Sequence, residues 1–135
     1  MLAAGGGVIV NTGSVNAVLP DPAVVDYSAA KAALVNLAKS LSKEFGPRGI
    51  RVNTVDPGPV ATSLWLGADG VAQTVARASG QKPEDVAAGA VQGTATGRFS
   101  QPSEVAFLIA LLASDRTSNV TGTTVTIDGG LITTL

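Results

Sequence analysis

Tyr27 and Lys31 stand four positions apart in Tyr27-Ser28-Ala29-Ala30-Lys31. On a helix, that spacing puts both side chains on one face. An ammonium beside a phenol favours the phenolate and lowers a pKa that starts near ~10. This is what a tyrosine needs to act as an acid or base near neutral pH. Taken alone, such a pair is common on exposed helices. Ser14 lies thirteen residues before Tyr27, in Asn11-Thr12-Gly13-Ser14, directly after an apolar β-type run. Open α/β sheets place their ligands at the carboxyl ends of strands. A hydroxyl there could hold a substrate carbonyl while Tyr27 moves the proton, or it could simply cap a turn. Asp56-Pro57-Gly58-Pro59-Val60-Ala61-Thr62 ends a second β-type run. It reads either as a plain turn or as a backbone edge with a Thr hydroxyl open to a planar amide. Asp128-Gly129-Gly130 closes a third run and could be no more than a strand stop.

The rest of the composition narrows the chemistry. The chain has no histidine, so a Ser–His–Asp triad and most zinc chemistry are excluded, and a hydrolase using Ser14 is a poor reading because no histidine can activate that serine. It has no cysteine, so disulfides and thiolate metal sites are excluded as well. No metal site is expected. A net charge of −1 leaves no electrostatic footprint for nucleic acid or an acidic membrane. No apolar run approaches the roughly 18 residues of a membrane span. Met1–Gly7 lacks the basic and apolar regions of a signal peptide. A soluble, cytoplasmic protein is expected.

The elements that must position these residues follow from periodicity. Val8-Ile9-Val10 is short, β-branched and preceded by glycines, as suits a strand buried on both faces of a parallel sheet. Residues 11–23 read as a loop. Residues 24–45 read as a helix, with Leu34, Leu37 and Leu41 at helical spacing and Gly46-Pro47 as its stop. Residues 50–55 alternate like a second strand. Residues 61–100 are small, polar and glycine-rich, with one helical turn expected after Pro83. That stretch is the expected mobile region. Pro102-Ser103-Glu104 opens a helix with Val105, Leu108, Ile109 and Leu112 as its stripe. Residues 123–127 form a third strand. Strand, helix, strand, helix, strand predicts a parallel α/β layer: three strands near 7–12, 50–55 and 123–127, adjacent in that order.

Several ordered motifs together resemble the classical short-chain dehydrogenase/reductases. They are strand-Asn-x-x-Ser, Tyr-x-x-x-Lys at the family's interval, Asn-x-x-x-Pro-Gly-x-Val-x-Thr, Gly97-Arg98-Phe99-x-x-Pro-x-Glu-Val-Ala, and Val120-Thr121-Gly122 before a strand ending in Asp-Gly-Gly. The resemblance spans nearly the whole chain. It implies a partial Rossmann-like, doubly wound fold formed by one domain, residues 1–135, with a substrate loop at 61–100. It implies hydride transfer between NAD or NADP and a small carbonyl or alcohol substrate. Tyr27, Lys31 and Ser14 would be catalytic. Tyr27, Lys31, Pro57, Gly58, Val60 and Thr62 would bind the nicotinamide half of the cofactor.

The family's Thr-Gly-x-x-x-Gly-x-Gly phosphate loop has no counterpart here, because Gly5-Gly6-Gly7 precedes a strand instead of following one. The Asn-Ala-Gly segment and the catalytic Asn on the preceding helix are also missing. The chain therefore reads as the C-terminal half of a member, with Met1 resembling an internal methionine. The alternative is a non-catalytic remnant that acts only as an oligomerising α/β module. In either case, loss of the cover over Val8–Val10 predicts a homo-oligomer.

Overall fold

The computed structural model describes residues 1–134. Its elements are β1 (Gly7–Thr12), α1 (Val25–Phe45), β2 (Ile50–Pro57), α2 (Ser63–Leu66), α3 (Val71–Ser79), α4 (Pro83–Gln92), α5 (Pro102–Ala113) and β3 (Thr124–Ile127), with short 3₁₀ turns between some of them. The three strands form one parallel sheet in the order β1-β2-β3. Both the strand order and the parallel pairing are as the sequence predicts.

β2 is central and almost wholly buried, and its two faces carry different cargo. Ile50 and Val52 join Ala38 of α1 in one cluster, with Ile9, Leu41 and Phe45 packed against it. Val55 joins Val105 and Leu112 of α5 in the other, with Val10, Val125 and Ile127. Side chains alternate across a strand, so the even positions of β2 face α1 and the odd ones face α5. A sheet covered on both faces favours apolar strand residues, and β2 departs from this at Arg51, Asn53, Thr54 and Asp56.

Arg51 and Asn53 tie the connection from α5 to β3 into this frame. The Arg51 guanidinium donates to the carbonyls of Leu112, Ser114 and Val120 at 2.9–3.0 Å. It therefore satisfies acceptors left free where α5 ends. Asn53 Nδ2 donates to Val120 O at 2.9 Å, and its Oδ1 accepts from Thr123 N at 3.2 Å. These bonds set the register of the run into β3.

Three features differ from the sequence expectation. Residues 61–100 hold three helices where one helical turn was expected. Their apolar stripes are short, and they gain stability from one another: Ala72, Ala76 and Val91 are buried, and Trp65 meets Phe99 edge-on at 5.6 Å. The segment is also closed at its base, where Val60 and Ser100 form a parallel bridge. Second, Leu37 is exposed, so α1 buries the Ala38–Leu41–Ser42–Phe45 side and not a simple leucine stripe. Third, β2 runs through Asp56 and Pro57, which the sequence reads as a turn. Thr54 N donates to Thr123 O and Gly58 N to Ile127 O, so the even amides of β2 point towards β3. The N–H that Pro57 lacks would point towards β1, which has already ended, and no ladder bond is lost.

Candidate active site

The sequence-predicted residues gather around the carboxyl ends of β1 and β2. Ser14 follows β1 by two residues and is buried. Its Oγ caps a 3₁₀ turn by accepting from Asn16 N at 3.2 Å, so the capping role does hold for it. Its backbone N–H donates to Asp56 Oδ1 at 3.1 Å.

Tyr27 and Lys31 lie in the first two turns of α1. Lys31 Nζ sits 5.4 Å from the Tyr27 ring centroid, within cation–π range. The same ammonium donates to Thr12 O, the last carbonyl of β1, at 2.9 Å. Lys31 thus connects the Tyr27 face of α1 to the strand end that leads into Ser14. Tyr27 itself is 44% exposed, so its phenol is open to a ligand. Ser28, beside it, pins the intervening loop: its Oγ donates to Val24 O at 3.0 Å and accepts from Asp21 N at 3.3 Å.

Pro57 and Gly58 leave β2, and the chain turns through Pro59 to Thr62. Ser100 N donates to Pro59 O, Ala61 N to Ser100 O and Thr62 N to Val60 O, at 2.7–2.9 Å. Thr62 then precedes α2 as its N-cap residue.

Asp56 is the residue that sequence reading placed in a turn and passed over. It is 1% exposed. Burial pushes its carboxyl up from the ordinary range, opposed by the Ser14 N–H and by the positive charge of Lys31. The signal for it was the even-position register of Ile50, Val52, Thr54 and Asp56, which the turn signals in Asp-Pro-Gly-Pro overrode.

Arg98 and Glu104 latch the far end of the 61–100 segment. Two guanidinium–carboxylate bonds of 2.8 and 2.9 Å join them, and Gln101 N donates to Glu104 Oε2 at 2.7 Å. The Arg98 bonds, and then the Gln101 N–H, hold Glu104 down at about 2, against an ordinary value of 4.5. A carboxyl depressed on folding stabilises the fold above its unfolded value and loses that contribution as pH falls through its folded one. The melting temperature should therefore fall more steeply between about pH 4.5 and 2 for the unsubstituted chain than for Glu104→Gln. Because the pair is solvent-exposed, the difference should be small. Parallel melting curves across that window would remove the latch from the account.

These residues define an α/β protein whose polar chemistry collects at the carboxyl ends of parallel strands, around a Tyr–Lys pair. The chain belongs to the short-chain dehydrogenase/reductase family. Residues 1–132 match the family model described as enoyl-(acyl carrier protein) reductase. The 3-oxoacyl-(acyl-carrier-protein) reductase of Thermotoga maritima is 37% identical over 126 residues, 93% of this chain and 46% of that protein. The 3beta-hydroxysteroid dehydrogenase 1 of Eggerthella lenta is 39% identical over 125 residues, 93% of this chain and 43% of that protein. Among solved structures, L-sorbose reductase from Gluconobacter frateurii, complexed with NADPH and L-sorbose, superposes with a TM-score of 0.87 at 31% identity, covering 100% of this chain and 51% of that one. A short-chain dehydrogenase family protein from Francisella tularensis gives 0.89 at 32% identity, covering 96% and 52%. The chain spans about half the length of the relatives it matches. No helix among the described residues is long and apolar enough to cross a membrane.

Proposed function

We propose that this chain carries the proton-transfer and nicotinamide side of an NAD(P)-dependent carbonyl reductase or alcohol dehydrogenase. The observation that carries the proposal is the Lys31 ammonium, seated between the Tyr27 ring and the end of β1, two residues before Ser14. The cofactor, when bound, supplies or receives the hydride at the substrate carbon. Tyr27 gives its phenolic proton to the carbonyl oxygen, or takes it back in the alcohol direction. Lys31 lowers the energy of the phenolate and donates to the nicotinamide ribose. Ser14 donates its hydroxyl proton to the substrate oxygen and holds it in line with Tyr27.

The donor set fits the nicotinamide half. Tyr27 is exposed and Lys31 borders it. Pro57, Gly58, Val60 and Thr62 lie on the turn leaving β2, and among the described residues the Val60 N–H has no protein acceptor. A backbone donor of that kind suits the oxygen of a planar carboxamide. The phosphate half is different. Gly5 and Gly6 precede β1 and Gly7 opens it, Gly7 N donates to Gly49 O at 3.1 Å, and a Cβ on Gly6 would come 2.8 Å from Gly49 O. These glycines pack against another turn and form no phosphate cradle of the kind that follows a strand.

Fusing residues 1–135 behind the N-terminal part of the Thermotoga maritima reductase tests the proposal. The fusion should oxidise NADH or NADPH with carbonyl substrates. The 135-residue chain alone should bind either cofactor far more weakly, as read by nicotinamide fluorescence. A folded fusion with no turnover on a broad carbonyl panel would count against the proposal. So would micromolar binding by the chain alone.

Self-association belongs to the same proposal. Among the described residues β3 pairs only with β2, which leaves its outer edge without a strand partner there, and Phe107 on α5 is 67% exposed. A two-fold dimer through α5 and β3 would cover both. Light scattering at micromolar concentration should show a dimer or larger species, weakened by Phe107→Asp. A monodisperse monomer would rule this out.

A further inference from the structure

Segment 61–100 leaves the sheet and returns to it at one place. Val60 and Ser100 bridge just beyond the carboxyl end of β2, so α2, α3 and α4 form one long excursion from the edge where open α/β sheets bind ligands. An excursion so placed can serve as a wall of the site. That bridge and the Arg98–Glu104 pair hold its base. A further anchor lies on the stretch that follows β3. After α4 ends at Gln92, Thr96 N donates to Gly129 O at 3.0 Å. A Cβ on Gly129 would meet Thr96 Oγ1, and one on Gly130 would come 2.9 Å from Ala95 Cβ. A Cβ on Gly93 would lie 3.3 Å from Leu131 Cδ1. The two segments therefore lie directly against each other.

The same stretch abuts the turn that leaves β2. Gly58 N donates to Ile127 O at 2.9 Å, and a Cβ on Gly58 would come 2.9 Å from Asp128 Cβ and 3.0 Å from Asp128 Cα. Asp128 thus stands against that turn and leads directly into the Gly129–Thr96 contact. Its carboxylate closes the loop behind it: Oδ1 accepts from Gly130 N at 2.9 Å and Oδ2 from Ile132 N at 2.8 Å. Gly129 and Gly130 have φ of 66 and 81, a conformation that glycine reaches freely and has no preference to keep. Two charge-assisted hydrogen bonds from one side chain are what fix it.

We propose that Asp128 is a positioning residue for the carbonyl or alcohol substrate: by clamping Gly130 and Ile132 it holds segment 61–100, through Gly129 and Thr96, at a fixed place beside the turn after β2. This rests on the reaction proposed above, with that turn on the nicotinamide side. Asp128 touches neither substrate nor cofactor. It acts through the residues that follow α4.

Amide hydrogen exchange in the full 135-residue chain tests the clamp without cofactor, substrate or turnover. In Asp128→Ala the Thr96 amide should exchange about tenfold faster or more. The Thr54 and Gly58 amides, which bond to Thr123 O and Ile127 O, should keep the parent rates. Unchanged Thr96 exchange in the folded variant overturns the proposal, whatever the fusion does. In the reductase fusion the same substitution should raise KM for the carbonyl substrate about tenfold and leave kcat and the KM for NAD(P)H within about twofold. Alanine keeps the Cα and Cβ that face Gly58, so the nicotinamide side is undisturbed. Asp128→Asn retains one acceptor oxygen and should fall between parent and Ala. An unmoved carbonyl KM, or equal losses in both KM values, would leave Asp128 as a scaffold residue, and the proposal fails. An inactive parent fusion would instead sink the proposed function, and the substrate role of Asp128 with it, even where exchange reveals the clamp.

Should neither Asp128 variant fold, exchange in the unsubstituted chain decides. The amides of Thr96, Gly130 and Ile132 should open together, with one shared free energy below that of the β2–β3 ladder. Gly130 and Ile132 exchanging freely while Thr96 stays protected would overturn the proposal.

Discussion

Gly13→Ala should lower the stability of the chain by about 2–4 kcal/mol, because the methyl group enters a filled space against backbone and carboxylate. An ideal Cβ at Gly13 meets Asp56 Oδ1, lies 2.9 Å from Thr54 Cγ2 and lies 3.0 Å from Asp56 Cγ. None of these atoms belongs to the free end of a long side chain. Asp56 is tied to Ser14, and Thr54 is fully buried in β2. Relief therefore requires β1 and β2 to part where they are laddered, or Asp56 to leave its amide. For a domain of this size the loss corresponds to a fall in melting temperature of roughly 10 °C. Gly46→Ala is the matched control. Gly46 has right-handed helical angles, φ −54 and ψ −45, and open space where its Cβ would go. That substitution should be neutral or slightly stabilising through the unfolded state. Equal melting temperatures for the two variants would mean that the contact of Gly13 with Asp56 is not a structural constraint.

The sheet was legible in the sequence because a parallel strand covered on both faces is apolar at successive positions, as in Val8-Ile9-Val10. The crossover helix was legible because its length, its alanines and its Gly46-Pro47 stop are local properties. The Tyr27–Lys31 pairing follows from helix geometry alone. The structure adds the partner of Lys31: the Thr12 carbonyl is nineteen residues away, and no local rule selects it. Residues 61–100 were illegible for a related reason. α2, α3 and α4 have four, nine and ten residues, too short to be stable helices alone, and each depends on contacts such as Trp65 with Phe99. Asp56 was hidden by a true signal with a different cause. Asp-Pro-Gly-Pro does end the strand, but two residues later than turn chemistry suggests, because β3 continues to pair with β2 after β1 has stopped.

Tyr27→Phe should remove about 10²–10⁴-fold of turnover from the reductase fusion, the range that a positioned acid–base group supplies. The substitution is narrow. Phe keeps the ring, so Lys31 still has its cation–π partner at 5.4 Å, and it keeps the helix surface that Tyr27 presents. Only the O–H is lost. With Tyr27 44% exposed, no buried hydrogen bond goes with it, and the melting temperature should stay within a degree or two. Ser14→Ala cannot be read so cleanly, because Ser14 Oγ also caps its own turn by accepting from Asn16 N. A fall in turnover there would mix lost substrate contact with a loosened loop. The Phe variant separates chemistry from scaffold. If the phenol moves a proton in the rate-limiting step, kcat should fall while cofactor affinity, most of which the fused N-terminal part would supply under the proposal, stays near that of the parent fusion. If Tyr27 serves instead to stack against a ligand, the ring that remains should preserve kcat. A Phe variant that turns over like its parent would therefore remove Tyr27 from the proton path, and with it the role of Lys31 as the group that tunes it.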